Sequence, residues 1–365
     1  MPYLNGVYGN PSSAHAEGRA ARRAIEKARA TIAECVGAEP DQVYFTPSAT
    51  AANNAVLEMI GWIGQRILAS PLEHPSVLNK VGQLKKGRWL ELDRTGRVDP
   101  QAFHRMVLKT WANCASVCWV CSETGVINPI RDLLAVSDIK SMHMHSDATQ
   151  AVGHVDIAGL EQKPDFITFG PHKLGGPRGV GVIVAYNSEF IEEYGKIPSL
   201  KVIYGGEQER GIWPGTENTA AIIGSAAAVK AAVENSDERN YTIIRLRDRI
   251  FDHLNHTPGL QINTPRNATI CVPGIVNVSA TGQDGLAIVL AMDEAGIAVS
   301  SGSACSTGSG KPSAAIMAAS GGDEARARGS VRFSFNETNT LDEIDYAMEI
   351  FDAIVRKGLE TREDN

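Results

Sequence analysis

No run of apolar residues in this chain reaches the roughly 18 needed to span a membrane. The start also lacks the apolar core of a signal peptide. The expectation is a cytoplasmic protein with no membrane partner. Positive charge is in deficit: 35 Lys and Arg stand against 42 Asp and Glu, for a net charge of -7. That balance argues against nucleic-acid binding driven by bulk charge. Cysteine is sparse, with Cys35, Cys114, Cys118, Cys121, Cys271 and Cys305 spread over 365 residues. In a chain with no leader these read as thiols rather than disulfides. Internal repeats and low-complexity linkers are absent too.

Cys118 and Cys121 have the C-x-x-C spacing of a metal site, with Cys114 nearby. The surrounding Cys114–Cys121 stretch reads as one buried strand, however, whose alternation would turn Cys118 and Cys121 to opposite faces. Cysteine in such a strand serves as a small core hydrophobe. No metal site is expected.

What the chain does have is an ordinary globular composition, 43% hydrophobic and 21% charged. Its length suffices for one large and one small domain. An amphipathic helix is expected over Ala20–Cys35. Short apolar runs and helical patterns then alternate as far as Val180–Val184, which predicts a mostly parallel sheet covered by helices. An alanine-rich helix is predicted from Thr219 to Asn235. Beyond about Tyr241 the rhythm becomes helix, strand, helix, strand, helix, ending on Leu341–Lys357.

The most informative stretch runs from Phe166 to Val184. An apolar run leads into His172-Lys173, glycines flank Pro177, and a second apolar run follows. A lysine between two strands on glycine-rich backbone is well placed to form a Schiff base, since desolvation lowers its pKa and frees its lone pair. The same residues would also suit a surface lysine in a hairpin turn. Asp147, at the end of an apolar strand 26 residues upstream, favours the first reading. An acid so placed can pair with a protonated pyridine nitrogen while the lysine carries the aldehyde of pyridoxal phosphate. Asp147 would equally cap a helix starting at Ala148. The two roles are compatible.

Asp147-Ala148-Thr149-Gln150-Ala151-Val152-Gly153 followed by His172-Lys173-Leu174-Gly175-Gly176-Pro177-Arg178-Gly179-Val180-Gly181 resembles the group I (NifS/IscS-like) cysteine desulfurases. The resemblance spans nearly the whole chain, in order and at compatible spacing. It includes Tyr8-Gly9-Asn10-Pro11, Phe45-Thr46-Pro47-Ser48-Ala49-Thr50, Glu73-His74-Pro75, Gly205-Gly206-Glu207-Gln208-Glu209-Arg210-Gly211, Gly215-Thr216-Glu217-Asn218, Ser300-Ser301-Gly302-Ser303-Ala304-Cys305 and Ser330-Val331-Arg332-Phe333-Ser334. It implies a fold-type I, aspartate aminotransferase-like α/β architecture with pyridoxal 5'-phosphate as cofactor. A large domain over 15–240, with a mostly parallel seven-stranded type of sheet, would bind the cofactor. A smaller α+β domain formed by 1–14 and 241–365 would carry the nucleophile loop. Lys173 would bind the cofactor covalently, Asp147 would face its ring nitrogen, His74 would stack on the ring, and Gln150 would donate to the ring hydroxyl. Ala49 and Thr50, at a helix N-terminus, would bind the phosphate, although Thr50 would look the same as a simple N-cap. His172 would reach the phosphate, and Thr216 would do so across a homodimer interface. Arg332 would grip the carboxylate of L-cysteine. Cys305, in a Ser/Gly-rich loop, would take the sulfur as a persulfide and pass it to an acceptor such as an iron–sulfur scaffold.

The chain also departs from the family. The usual Tyr-Leu-Asp-Asn-Ala-Ala-Thr-Thr type of segment does not precede Tyr8. Ala51 stands in place of Glu. Cys121-Ser122 replaces Asn-Asn, and Ser122 is too short to contact both ring hydroxyl and substrate carboxylate. Gly170 replaces a phosphate-binding serine, for which Thr168 or water would have to compensate. Trp213 replaces an arginine. Two other readings therefore stay open: a selenocysteine or C–S lyase on the same fold, and a non-catalytic homologue acting as a scaffold.

Overall fold

The computed structural model describes residues 2–6, 8–64, 66–84, 87–139, 142–194, 201–302 and 312–363. The chain forms two compact units. The first comprises Met1–Leu90, Pro100–Trp119 and Pro129–Asn235, and the second Glu91–Asp99, Val120–Asn128 and Ser236–Asn365. The last boundary along the chain falls between Asn235 and Ser236. Residues 1–14 group with the first unit instead of the second, because the short helix α1 (Pro2–Asn5) packs on α8 (Thr219–Glu234). Among the described residues, no helix is long and apolar enough to cross a membrane. None of their His, Cys, Asp or Glu side chains cluster in threes to hold a metal ion.

The first unit is built on a seven-stranded sheet. Its strands are β1 (Val43–Thr46), β2 (Ile67–Ala69), β3 (Arg88–Trp89), β4 (Cys114–Ser116), β5 (His143–Asp147), β6 (Phe166–Phe169) and β7 (Gly181–Ala185), in the spatial order β1-β7-β6-β5-β4-β2-β3. Only β7 runs against its neighbours. The 169–181 connection is too short for the helical crossover that parallel strands need, so β6 and β7 pair as an antiparallel hairpin. Every residue of β1, β6 and β7 is buried, as expected for strands covered on both faces.

The helices of this unit are α2 (Ala16–Val36), α3 (Ala49–Gly64), α4 (Pro75–Gln83), α5 (Pro100–Thr110), α6 (Ile130–Ile139), α7 (Ser188–Tyr194) and α8. The buried face of α3, with Ala52, Val56, Leu57 and Ile60, packs in one core with Ile67, Phe166 and Ile183. Fully burying each of these side chains larger than alanine contributes about 1.5–3 kcal/mol. The expected strand over Cys114–Cys121 stops at Ser116. Beyond it the backbone follows β5 only irregularly, Val117 N–H reaching the His145 carbonyl at 3.0 Å and Trp119 N–H the Asp147 carbonyl at 2.9 Å. Between them Cys118 N–H turns instead to the Glu73 carboxyl, 2.5 Å away. Cys114, Cys118 and Cys121 are all buried, and burial pushes the Cys114 thiol up to about 12.

The second unit carries the antiparallel sheet β10-β9-β8, from β8 (Leu260–Ile262), β9 (Ile275–Ala280) and β10 (Ser330–Ser334). Its helices are α9 (Ser236–Leu254), α10 (Gly285–Glu294), α11 (Ala314–Ala319), α12 (Glu324–Arg328) and α13 (Leu341–Glu363). Phe251, Val276, Val278, Ile288, Val331 and Phe351 share its core. Two excursions from earlier in the chain join it. Ile127 N–H donates to the Ile270 carbonyl at 2.8 Å, Val272 N–H to the Gly125 carbonyl at 2.9 Å, and Arg97 to the Ile127 carbonyl at 2.9 Å.

Candidate active site

The chemistry-bearing residues of the first unit gather at the C-terminal ends of β4, β5 and β6, beneath the N-terminal half of α3. Parallel register sets Ser116 beside His145 and Asp147 beside Thr168. His145 and Asp147, two residues apart, share one face of β5. Asp147 is 7% exposed. Its Oδ2 accepts from Asn53 Nδ2 at 2.8 Å and its Oδ1 from Thr149 N–H at 2.9 Å. Asp147 therefore caps a turn; the helix expected from Ala148 does not form. Among the described residues no cation pairs with this buried carboxylate.

His74 is the N-cap of α4, where its Nδ1 accepts from Ser76 N–H at 3.1 Å. Its imidazole pKa is lowered first by burial. The Asp147 charge opposes that shift and the Lys173 charge reinforces it, so the three groups share one electrostatic neighbourhood. Glu73 is 4% exposed, and one of its oxygens has no hydrogen-bond partner among the described residues. Burial, then the Asp147 charge, raise its carboxyl well above the usual range, which favours the neutral acid.

Lys173 and His172 lie on the 3-10 turn Pro171–Leu174 between β6 and β7, closed by Gly175 in the left-handed region at φ 83°. Both are exposed in this chain, so the lysine is not desolvated by its own unit, contrary to expectation. The His172 imidazole pKa is lowered by partial burial, then by the charges of Lys173 and Arg178. The second Gly of Arg178-Gly179-Val180-Gly181 has a steric reason: a Cβ on Gly181 would lie 2.2 Å from the Ser48 carbonyl group and 2.6 Å from Ala49 N. Its absence lets β7 press against the start of α3. There Ser48 Oγ, not Thr50, accepts from the first turn, from Ala51 N–H at 3.1 Å. The N–H groups of Ala49 and Thr50 open the helix as expected for an anion cradle.

Gly170 precedes this turn, and a Cβ there would meet the His172 ring at 2.8 Å. Thr168 cannot stand in for the missing serine, because its hydroxyl is committed to Asn53. Gln150 lies half-buried in the turn after β5. Thr216 is exposed, on the loop whose Gly215 N–H is held by Gln208 at 3.2 Å. Trp213 is absorbed by packing against the core around α3.

In the second unit, Arg332 on β10 pairs with Ser300 through the backbone, and its Nη1 donates to the Ser122 carbonyl at 2.8 Å. Ser122 thus meets Arg332 through its main chain. Next to it Glu123, 7% exposed, accepts from Ser313 Oγ. Burial raises its carboxyl pKa, while Ser313 and the Arg332 charge act against the rise. Cys305 lies outside the described residues.

A class-V aminotransferase family model matches residues 1–347. The chain belongs to the class-V aminotransferase family. A cysteine desulfurase, IscS, of Clostridium botulinum is 31% identical over 99% of this chain and 90% of its own length. An IscS-like cysteine desulfurase of Mycobacterium tuberculosis is 33% identical over 98% and 92%. A solved NifS-like protein superposes with a TM-score of 0.86 at 28% identity, covering 97% of this chain and 93% of its own.

Membership makes the protein a fold-type I enzyme dependent on pyridoxal phosphate. The residues present suit that class-V cofactor. A buried carboxylate with two neutral donors and no cation is a matching partner for a pyridinium nitrogen. Reasoning from sequence missed the residues beneath Asp147, namely Asn53, Ser76, His145 and Thr168. Two signals could have revealed them. Asn53 falls on the same helical stripe as Val56, Leu57 and Ile60, so it had to be a buried polar group. His145 shares Asp147's face by its spacing of two.

Proposed function

We propose that the protein is a cysteine desulfurase acting on L-cysteine, with L-alanine and a persulfide on Cys305 as its products. The observation that carries this reading is the buried Asp147 carboxylate held in one electrostatic neighbourhood with His74 and Lys173. Relatives named cysteine desulfurase over the full chain support it.

When bound, pyridoxal phosphate supplies an electron sink for the bond-breaking at the substrate's Cα. Lys173 would hold the cofactor covalently, Asp147 would pair with its ring nitrogen, and His74 would pack against the ring. Ala49 and Thr50 N–H groups, His172 and Thr216 of a second copy would hold the phosphate, and Gln150 would donate to the ring hydroxyl. Arg332 and the Ser122 segment orient the substrate carboxylate. The Cys305 thiolate forms a bond to the substrate sulfur while the Cβ–S bond breaks. The electron pair of that bond stays with the carbon skeleton, which takes up a proton and leaves as alanine. The persulfide then passes to an acceptor protein. Homodimer formation and a cytoplasmic setting belong to the same proposal.

The test is the stoichiometry of products from L-cysteine. Alanine equal to protein-bound persulfide in a single turnover without an acceptor is expected. Free sulfide, with pyruvate and ammonia in place of alanine, from a Cys305→Ser variant at the unmodified enzyme's rate would select a C–S lyase instead.

A further inference from the structure

The chain of hydrogen bonds beneath Asp147 ends on a single amide that serves two groups. Asn53 is fully buried, at 0% exposure. Its Nδ2 donates to Asp147 Oδ2 at 2.8 Å and to Ser76 Oγ at 2.9 Å. Its Oδ1 accepts from the Thr168 hydroxyl. The orientation of this amide is forced, because turning it over would set its oxygen against a carboxylate and leave Thr168 facing an NH₂ group.

The direction of every neighbouring bond follows. Thr168 gives its one hydroxyl hydrogen to Asn53, so its oxygen accepts from His145 Nε2, 2.9 Å away. That places the hydrogen of the neutral imidazole on Nε2. His145 Nδ1 is then an acceptor, and the Ser116 hydroxyl donates to it at 2.9 Å. On the other branch Ser76 Oγ already accepts from Asn53. Its hydrogen therefore points to His74 Nδ1, 2.8 Å away, where Ser76 N–H also donates. His74 must keep Nδ1 as a lone pair and carry its hydrogen on Nε2.

We infer that Asn53 is the positioning residue of the cofactor site, setting at once the direction of the Asp147 carboxylate and, through Thr168, the tautomer of His145. The inference rests on reading Asp147 and His74 as the cofactor's ring partners. Its first readout, the histidine tautomers, does not depend on that reading. Asn53 touches no substrate. It delivers a carboxylate of fixed direction to the ring nitrogen.

The experiment labels the nine histidines with ¹⁵N and reads their tautomers by NMR in the protein as purified, then titrates with pyridoxal 5'-phosphate. In the unaltered protein His74 and His145 should both carry hydrogen on Nε2 alone. Thr168→Val cuts only the His145 branch, so it should give His145 a mixture of tautomers and leave His74, whose Nδ1 is held by the Ser76 N–H, unchanged. Asn53→Ala should give His145 a mixture of tautomers and weaken cofactor binding at least about tenfold, the scale of a hydrogen bond to a charged group. Asn53→Asp, which sets a second carboxylate against Asp147, should bind more weakly still. If Asn53→Ala fails to fold, Thr168→Val carries the test on its own. An unchanged His145 tautomer in Asn53→Ala, or in Thr168→Val, overturns the inference. Tautomers that respond as described while cofactor affinity stays put would instead count against the assignment of Asp147 and His74 to the ring.

Discussion

Lys173 sits on a turn bounded by Pro171 and Gly175 and set between two fully buried strands, so the backbone fixes where its side chain starts. Lys173→Ala should fold normally and lose the borohydride-reducible bond to the cofactor; retention of a reducible adduct would point to another lysine. Gly170 is a different case. A serine here would restore a phosphate donor, a bond worth roughly 0.5–1.5 kcal/mol, but its Cβ would displace His172 from 2.8 Å. Gly170→Ser should therefore leave cofactor affinity unchanged or lower it, read by fluorescence titration, whereas a severalfold tightening would show that His172 does not serve the phosphate. His145 carries a pH prediction. Burial lowers its pKa to about 4 against an ordinary 6.5, with Asp147 opposing the shift. Between those values the unfolded chain binds a proton that the folded one does not, so stability is lost as pH falls from 6.5 toward 4, by on the order of 3 kcal/mol. His145→Gln should flatten that limb of the urea midpoint against pH, and an equally steep limb would count against it. Much at this scale was legible: Asp147, Lys173 and His74 announce themselves by motif. Asn53 and Thr168 did not, because their meaning lies in partners 94 and 115 residues away in sequence.

At the scale of elements, the loop that leads to Thr216 is tied down by an ion pair. Arg29 on α2 meets Glu209 through two bonds of 2.8 Å, and both side chains are almost wholly buried. Glu209 also accepts from Phe45 N–H at 2.8 Å, and Arg29 donates to the Val43 carbonyl at 2.7 Å. Glu209 and Arg210 adopt left-handed backbone, at φ 49° and 55°, a strain these contacts hold in place. Removing one partner would leave the other charge buried alone, at a cost of about 3–5 kcal/mol. Arg29→Met should therefore lower stability to chemical denaturation by that amount, while Glu26→Gln, on the exposed side of the same arginine, should stay within about 1 kcal/mol. Equal effects from both would remove the argument. The periodic helices and the strands at β6 and β7 followed directly from the sequence pattern. The strand at Cys114 was read too long because its apolar residues continue past Ser116, and only Glu73, distant in sequence, explains why the ladder ends there.

At the scale of the whole molecule, the sequence rhythm conveyed a mostly parallel sheet. It did not convey that Glu91–Asp99 and Val120–Asn128 join the second unit, since such excursions depend on pairings with Ile270 and Val272. Exposed Val202, Ile203 and Tyr204 lie on the stretch running toward exposed Thr216, a run of apolar surface suited to a second copy of the chain. Sedimentation should find a dimer, and a monomer holding cofactor at full occupancy would contradict the role given to Thr216. The central claim is that sulfur leaves L-cysteine onto one cysteine of this chain. Its most direct test is to supply sulfur-labelled L-cysteine to the enzyme without an acceptor and map the label by mass spectrometry of unreduced peptides. The account predicts one labelled sulfur on the peptide containing Cys305, matched by one alanine; alanine formed with no label on Cys305, or label on Cys121, would contradict it.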